Sequence, residues 1–194
     1  MASKHDQNRA EKRERLLRAA VEAFTETGFE NTTVSDVVHR AGMTPSTFYN
    51  YYRDKDALRD ELLEVAAERM VAALTTIRGQ ATGMDQYFAM ATRALFRAMV
   101  VESETATLLR RNLGLLRSLL DHVALKPVYS ALRGDMEAAT ARGQMEPIDL
   151  DYAGAVMRSV SLEMAVVLLS RPTPDVEAAV DFLSRVLGAA FRFR

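Results

Sequence analysis

Cysteine and tryptophan are both absent from the 194 residues. Without cysteine there is no disulfide, thiolate zinc site, iron–sulfur cluster or thiol nucleophile. Histidine is scarce too. His5, His39 and His122 are the whole set, and no two stand at metal-ligand spacing. No nucleophile motif, Gly-rich phosphate loop or acid–base pair is evident, so an enzyme is a thinly supported reading. Glu102, Glu104 and Glu163 read instead as caps or polar contacts. No cofactor and no metal are expected.

An excess of charge is also missing. Lys plus Arg is 25 and Asp plus Glu is 26, for a formal net charge of −1. A nucleic-acid binder driven by bulk charge would be more basic, which leaves DNA binding through a small local surface. No stretch approaches the roughly 20 apolar residues of a membrane span. The most apolar stretch, Ser161 to Ser170, contains Glu163. The start, MASKHDQNRAEKRERLL, lacks the apolar core of a signal peptide. The expectation is a soluble cytoplasmic protein with no membrane partner.

What is present is helical periodicity. Leu16, Leu17, Ala20 and Phe24 form one stripe, placing a first helix at about residues 9–27. Gly28 followed by Phe29 reads as a Schellman stop, with Phe29 packing back on Phe24. Thr33 with Asp36 resembles a capping box for a short helix carrying Val34, Val37, Val38 and Ala41. Gly42 ends it, and Thr44-Pro45 opens another helix as cap and first residue. Asp54 caps a fourth helix reaching about Arg78. After Gly79 and Gly83 the chain reads as a helical bundle. Its segments are Met84 to Val101, Glu104 to about Val123 with an uncertain break at Gly114, Pro127 to about Arg142, and Asp151 to Ser170. A last helix, capped by Thr173, carries Val176, Val180, Leu183, Leu187 and Phe191. The fold class is all-α with about nine helices.

The informative stretch runs from Thr32 to Lys55, TTVSDVVHRAGMTPSTFYNYYRDK. Two short helices around a tight Gly turn have helix-turn-helix geometry, the second entering the major groove. That second helix is too short to stand alone and needs apolar anchors. Phe48 and Tyr52 supply them. At about 100° per residue, Ser46 and Asn50 then point away from the core, with Thr47 near them. Tyr49 and Tyr51 flank on opposite sides, within reach of phosphates. Asn50 can donate and accept at a base edge, and Thr47 or Pro45 can meet a thymine methyl. Helix N-termini at Thr33, Thr44 and Lys55 favour phosphate. Residues 1–18 hold Lys4, Arg9, Lys12, Arg13, Arg15 and Arg18 against Asp6, Glu11 and Glu14. This basic stretch reads equally as a loose phosphate-binding arm or as a solvated helix end with ordinary i,i+4 pairs.

These elements resemble the tetracycline-repressor (TetR) family of bacterial regulators. The resemblance is carried by LLRAAVEAFTETGFENTTV, Ala41-Gly42, Thr47-Phe48-Tyr49-Asn50-Tyr51-Tyr52, Lys55 and Leu58, over about residues 10–60. It implies a DNA-binding domain of three helices (1–54) and a helical ligand-binding and dimerising domain (55–194). It also implies a repressor that binds a near-palindromic DNA operator as a homodimer and is released by a small effector. Carried over residue by residue, the family's phosphate contacts fall on Thr33, Thr44, Tyr49 and Lys55. Its groove-facing positions fall on Pro45, Ser46, Thr47, Asn50 and Tyr51. The chain departs from the family's usual pattern at Pro45-Ser46, where a basic residue and Gly are common, and at Tyr52 in place of Phe. With no Arg or Lys on the recognition helix, readout is expected to depend on DNA shape. The alternative reading keeps DNA binding and replaces the effector with a protein partner or with constitutive binding.

The methionines of the second half suit an adaptable apolar pocket, and the resemblance favours one. Phe88, Met99, Tyr129, Met157 and Ser161 are its candidate lining. Arg110, Arg111 and Arg158 are candidates to meet an anionic ligand, with surface placement as the plainer reading. The last two helices carry more apolar surface than one chain can cover, which predicts a four-helix interface between two copies. Its candidate residues are Val160, Met164, Val167, Phe182, Val186 and Ala190.

Overall fold

The computed structural model describes residues 4–100, 107–108 and 111–191. Among these are nine α-helices, one short 3-10 turn and no strand. Helix α1 spans Lys4–Thr27. It starts ahead of residue 9, because the polar residues before Leu16 are largely good helix formers with no Gly or Pro among them. The basic stretch is therefore helix from Lys4 onward and not a loose arm. Gly28 ends α1 at φ +84, with its N–H on the Phe24 carbonyl at 3.0 Å. This is the single-bond left-handed cap and not the expected Schellman motif. The N–H of Phe29, which a Schellman motif returns to the helix, goes instead to Asn112 Oδ1 at 2.7 Å. The Phe29 ring still packs edge-on against Phe24, centroids 5.1 Å apart.

Helix α2 (Val34–Arg40) carries the capping box read from its sequence. Asp36 N–H donates to Thr33 Oγ1 at 3.2 Å, and Thr33 N–H donates to Asp36 Oδ2 at 2.8 Å. Helix α3 (Pro45–Tyr49) is capped by Thr44. It ends before Tyr52, which a following turn brings in through Tyr52 N–H on the Phe48 carbonyl at 3.0 Å. Helix α4 (Lys55–Gln80) is capped by Asp54. Leu16, Ala20 and Phe24 of α1, Val37 and Val38 of α2, Phe48, Tyr52, and Leu58 of α4 form one buried core. Burial of each large side chain contributes about 1.5–3 kcal/mol, which holds the five-residue α3 in a helical form it cannot keep alone.

A second core is built from α5 (Met84–Val100), α6 (Leu113–Leu120), α7 (Lys126–Ala141), α8 (Leu150–Ser170) and α9 (Val176–Phe191), with a 3-10 turn at Val123–Leu125. Phe96, Leu116, Met136, Leu168 and Leu183 are among its fully enclosed members. Three boundaries differ from expectation. The break before α6 falls at Asn112 and not at Gly114, because the Asn112 side chain is spent on α1 and leaves α6 without a side-chain cap. Helix α8 begins at Leu150, its N-terminal N–H groups taken by the Asp149 carboxylate. Helix α9 is capped by Asp175, whose Oδ1 accepts the Ala178 N–H at 2.9 Å, and not by Thr173. A carboxylate at that position also complements the helix dipole. The expected helix from Glu104 lies partly outside the described residues, as do Glu102 and Glu104 themselves.

Helix α8 also corrects the expectation that no stretch has the length and apolarity of a span. It has 21 residues and a mean hydropathy of 1.5 over its most apolar window. Its scattered Ser and Gly residues lower that mean little. Ala153, Met157, Ala165, Leu168 and Leu169 bury one face in the second core. Helix α4 joins the two cores, with Leu58 in the first and Met70 and Ile77 packed on the second. Arg13–Glu61 (2.8 Å) ties it to α1, and Arg78 Nη2–Asp135 Oδ1 (2.7 Å) ties it to α7.

Candidate functional site

Phe48 is fully buried, and that fixes what α3 presents outward. Thr44, Pro45, Ser46 and Asn50 are exposed, Tyr49 is 59% exposed, and Thr47 and Tyr51 are half-buried. The Arg9 guanidinium lies 5.9 Å from the Tyr51 ring centroid. The outward surface of α3 is thus uncharged and built of small side chains, apart from Tyr49. Thr33 and Lys55 stand at helix N-termini on either side, and both already have partners. Thr33 Oγ1 donates to Asp36 Oδ2 at 2.7 Å, and this hydroxyl, followed by the Thr33 backbone, holds the Asp36 carboxyl below its ordinary range. The Lys55 ammonium donates to the carbonyls of Phe29 (2.7 Å) and Glu30 (3.2 Å) and lies 4.4 Å from the Phe29 ring centroid. An ammonium has three donors, so one is left for a phosphate. Tyr52 is buried, and burial first, then the Glu61 carboxylate, raises its phenol so that it stays neutral.

A cavity of about 1370 Å³ lies between α4 and the second core and also reaches α1. All five residues named from the sequence as pocket lining (Phe88, Met99, Tyr129, Met157 and Ser161) line it. Helix α4 adds Leu63, Ala66, Met70 and Leu74, and α6 adds Leu116 and Leu120. The Tyr129 hydroxyl donates to the Leu120 carbonyl at 2.8 Å, and burial pushes its phenol up to about 12. Arg158 also lines the cavity, its guanidinium 5.4 Å from the Tyr129 ring centroid. Arg110 lies outside the described residues, and Arg111 donates to the Glu26 carbonyl.

Sequence reasoning missed the junction between the two cores. Asn112 is 8% exposed. Its Oδ1 accepts the Phe29 N–H at 2.7 Å, and its Nδ2 donates to the carbonyls of Phe24 (3.0 Å) and Leu108 (2.8 Å). One side chain thereby fastens the segment leading into α6 to the end of α1. Lys55 and Arg59 hold the same turn from α4, Arg59 lying 5.1 Å from the Phe29 ring centroid. The available signal was an Asn at a helix break, a residue that bonds backbone groups in place of continuing a helix.

The six interface candidates divide by burial. Val160 and Met164 are half-buried against the second core, whereas Val167, Phe182 (50% exposed), Val186 and Ala190 are exposed. Tyr152 and Val156 of α8 extend the exposed apolar set, two turns and one turn before Val160, and were not named from the sequence.

Residues 16–62 match the description "Bacterial regulatory proteins, tetR family". The chain is 43% identical over 53 residues to the HTH-type transcriptional regulator YdgC of Bacillus subtilis, covering 27% of each chain. It is 31% identical over 90 residues to the HTH-type transcriptional repressor Rv1474c of Mycobacterium tuberculosis, covering 43% of this chain and 48% of that one. The matched stretches thus span less than half of these relatives' length. Among solved structures, the fatty acid degradation regulator FadR of Bacillus halodurans shares the fold with TM-score 0.76 and 19% identity, over 94% of this chain and 97% of that one. RolR in complex with resorcinol does so with TM-score 0.69 and 20% identity, over 97% and 91%.

Proposed function

We propose that this chain, which belongs to the TetR family of bacterial regulatory proteins through residues 16–62, is an effector-released repressor that grips a near-palindromic operator as a homodimer. The observation that carries the reading is the outward surface of α3, uncharged and exposed over a fully buried Phe48. In this account residues 1–54 bind DNA and residues 55–194 bind the effector and a second copy. Pro45, Ser46, Thr47, Asn50 and Tyr51 face the major groove. Thr33, Thr44, Tyr49 and the remaining donor of Lys55 take phosphates, aided by the helix N-termini. With no cation on α3, specificity leans on DNA shape and on Asn50.

The exposed apolar residues of α8 and α9, Val167, Phe182, Val186 and Ala190 with Val160 and Met164 beside them, pair two copies about a two-fold axis. Two α3 helices then sit about 34–36 Å apart, or a multiple of that spacing. An apolar effector in the cavity favours a conformation in which this spacing is wrong, by its differential affinity for the two states. Helix α4 and the Asn112 junction transmit the change, since both touch the cavity-lining helices and the end of α1. The protein works in the cytoplasm, at the DNA. Selection of binders from a pool of random duplex DNA at near-physiological salt tests the proposal. A near-palindromic consensus is expected. Retention without a consensus, abolished by modest salt, would reduce the activity to non-specific phosphate binding and overturn it.

A further inference from the structure

The cavity is lined by a cation, Arg158, that has no ion-pair partner among the described residues. Arg133 lines the same cavity, and its guanidinium is committed to Asp151 and to Glu137 (3.2 Å). The Arg158 guanidinium rests on the Tyr129 ring. The Ser161 hydroxyl, one helical turn further along α8, also lines the cavity and has no hydrogen-bond partner among the described residues. Gly154, one turn earlier, keeps that space open: a Cβ there would stand 3.3 Å from Arg158 Nη1. Tyr129 is fixed by its bond to Leu120, so the ring beneath the guanidinium is a rigid seat. A guanidinium held near an aromatic face by a cation–π contact still has N–H groups to donate to an anion.

Most of the remaining lining is apolar, the other charged side chains on it being Glu14, Arg18 and Glu22 of α1 and Arg59 and the exposed Arg69 of α4. Leu63, Met70, Phe88, Met99 and Leu116 offer apolar surface, and the volume exceeds the roughly 300–1,000 Å³ usual for small-molecule sites. Placing a charge in such a site is costly unless the charge is met. A strictly apolar ligand would leave the half-buried Arg158 unpaired.

We infer that the effector is an amphipathic anion, a carboxylate at the end of a long aliphatic chain. Arg158 and Ser161 take the carboxylate, and the α4–α5–α6 surface takes the chain. This rests on the proposal that the cavity is the effector site, and it adds the chemistry of the head group. The test is isothermal titration of the full chain with oleate and with oleyl alcohol, which share a chain and differ in the head. Arg158→Gln, Arg158→Lys and Ser161→Ala are titrated alongside. A charge-assisted contact predicts that oleate binds about tenfold or more tighter than the alcohol. The preference should vanish in Arg158→Gln, persist in Arg158→Lys and shrink in Ser161→Ala, in each case chiefly through the affinity for oleate. Equal binding of both probes, indifferent to Arg158→Gln, would overturn the anionic head while leaving an apolar effector standing. Failure of both probes to bind would overturn the inference; the effector reading falls separately, if no apolar compound releases operator DNA. If Arg158→Gln does not fold, the two probes on the unmodified chain and on Arg158→Lys still decide the matter.

Discussion

Replacing Asn112 by Ala should loosen the connection between the two cores more than any surface change. The side chain makes three hydrogen bonds of 2.7–3.0 Å, and it is 8% exposed. Not all three count equally. The Phe24 carbonyl keeps the Gly28 N–H at 3.0 Å, so it is not orphaned. The Phe29 N–H has no second acceptor among the described residues and is left unpaired in a buried place. An orphaned buried donor costs about 1–3 kcal/mol. Small cavity and packing losses add to it, so the net loss should be about 2–3 kcal/mol. Asn112→Asp keeps the acceptor for Phe29 but turns the donor side into a carboxylate oxygen facing two carbonyls, so it should not rescue stability. Urea unfolding followed by circular dichroism gives the difference at constant slope. A change below about 0.5 kcal/mol, the range of ordinary surface substitutions, would refute the reasoning.

Gly42 has φ +61, and a Cβ added there would stand 3.2 Å from Arg15 Nη2, so Gly42→Ala should cost about 1–2 kcal/mol, read from the same urea curves. Tyr129 is raised to about 12 from 10.0, so the folded state holds the proton longer. Its contribution is complete below pH 10 and is lost as pH rises toward 12, and Tyr129→Phe should flatten that part of the stability–pH curve. Phe182→Glu combined with Val186→Glu should give monomers in sedimentation velocity at micromolar concentration while leaving helicity unchanged; a persistent dimer would displace the proposed interface.

Much of the fold was legible because its local chemistry is strong. The Thr33–Asp36 capping box, the Thr44-Pro45 start of α3 and the Gly28 and Gly42 stops each depend on residues within a few positions of one another. The apolar stripe of α1 needs only its own period. Five cavity-lining residues were legible by type, since large apolar and Met residues at helical spacing face an interior whether it is filled or hollow. What escaped the sequence was long-range. The cap of α1 depends on Asn112, more than eighty residues away, which diverts the Phe29 N–H and turns a Schellman motif into a single-bond cap. Lys55 has the position of a phosphate ligand, yet its nearest partners are the Phe29 and Glu30 carbonyls, which only the folded turn brings to it. The choice between Thr173 and Asp175 as the cap of α9 turned on which oxygen the chain could aim at the helix end.

The most direct measurement is fluorescence anisotropy of a selected operator duplex against a scrambled duplex, with the unmodified chain and with Asn50→Ala combined with Tyr49→Phe. Each base-edge contact is worth about 1–3 kcal/mol, so the doubly substituted chain should lose tenfold or more in affinity for the operator. It should approach the affinity of the unmodified chain for scrambled DNA, with its thermal unfolding unchanged. Full operator preference in the substituted chain would contradict the account, because the exposed face of α3 would then not be the surface that reads DNA.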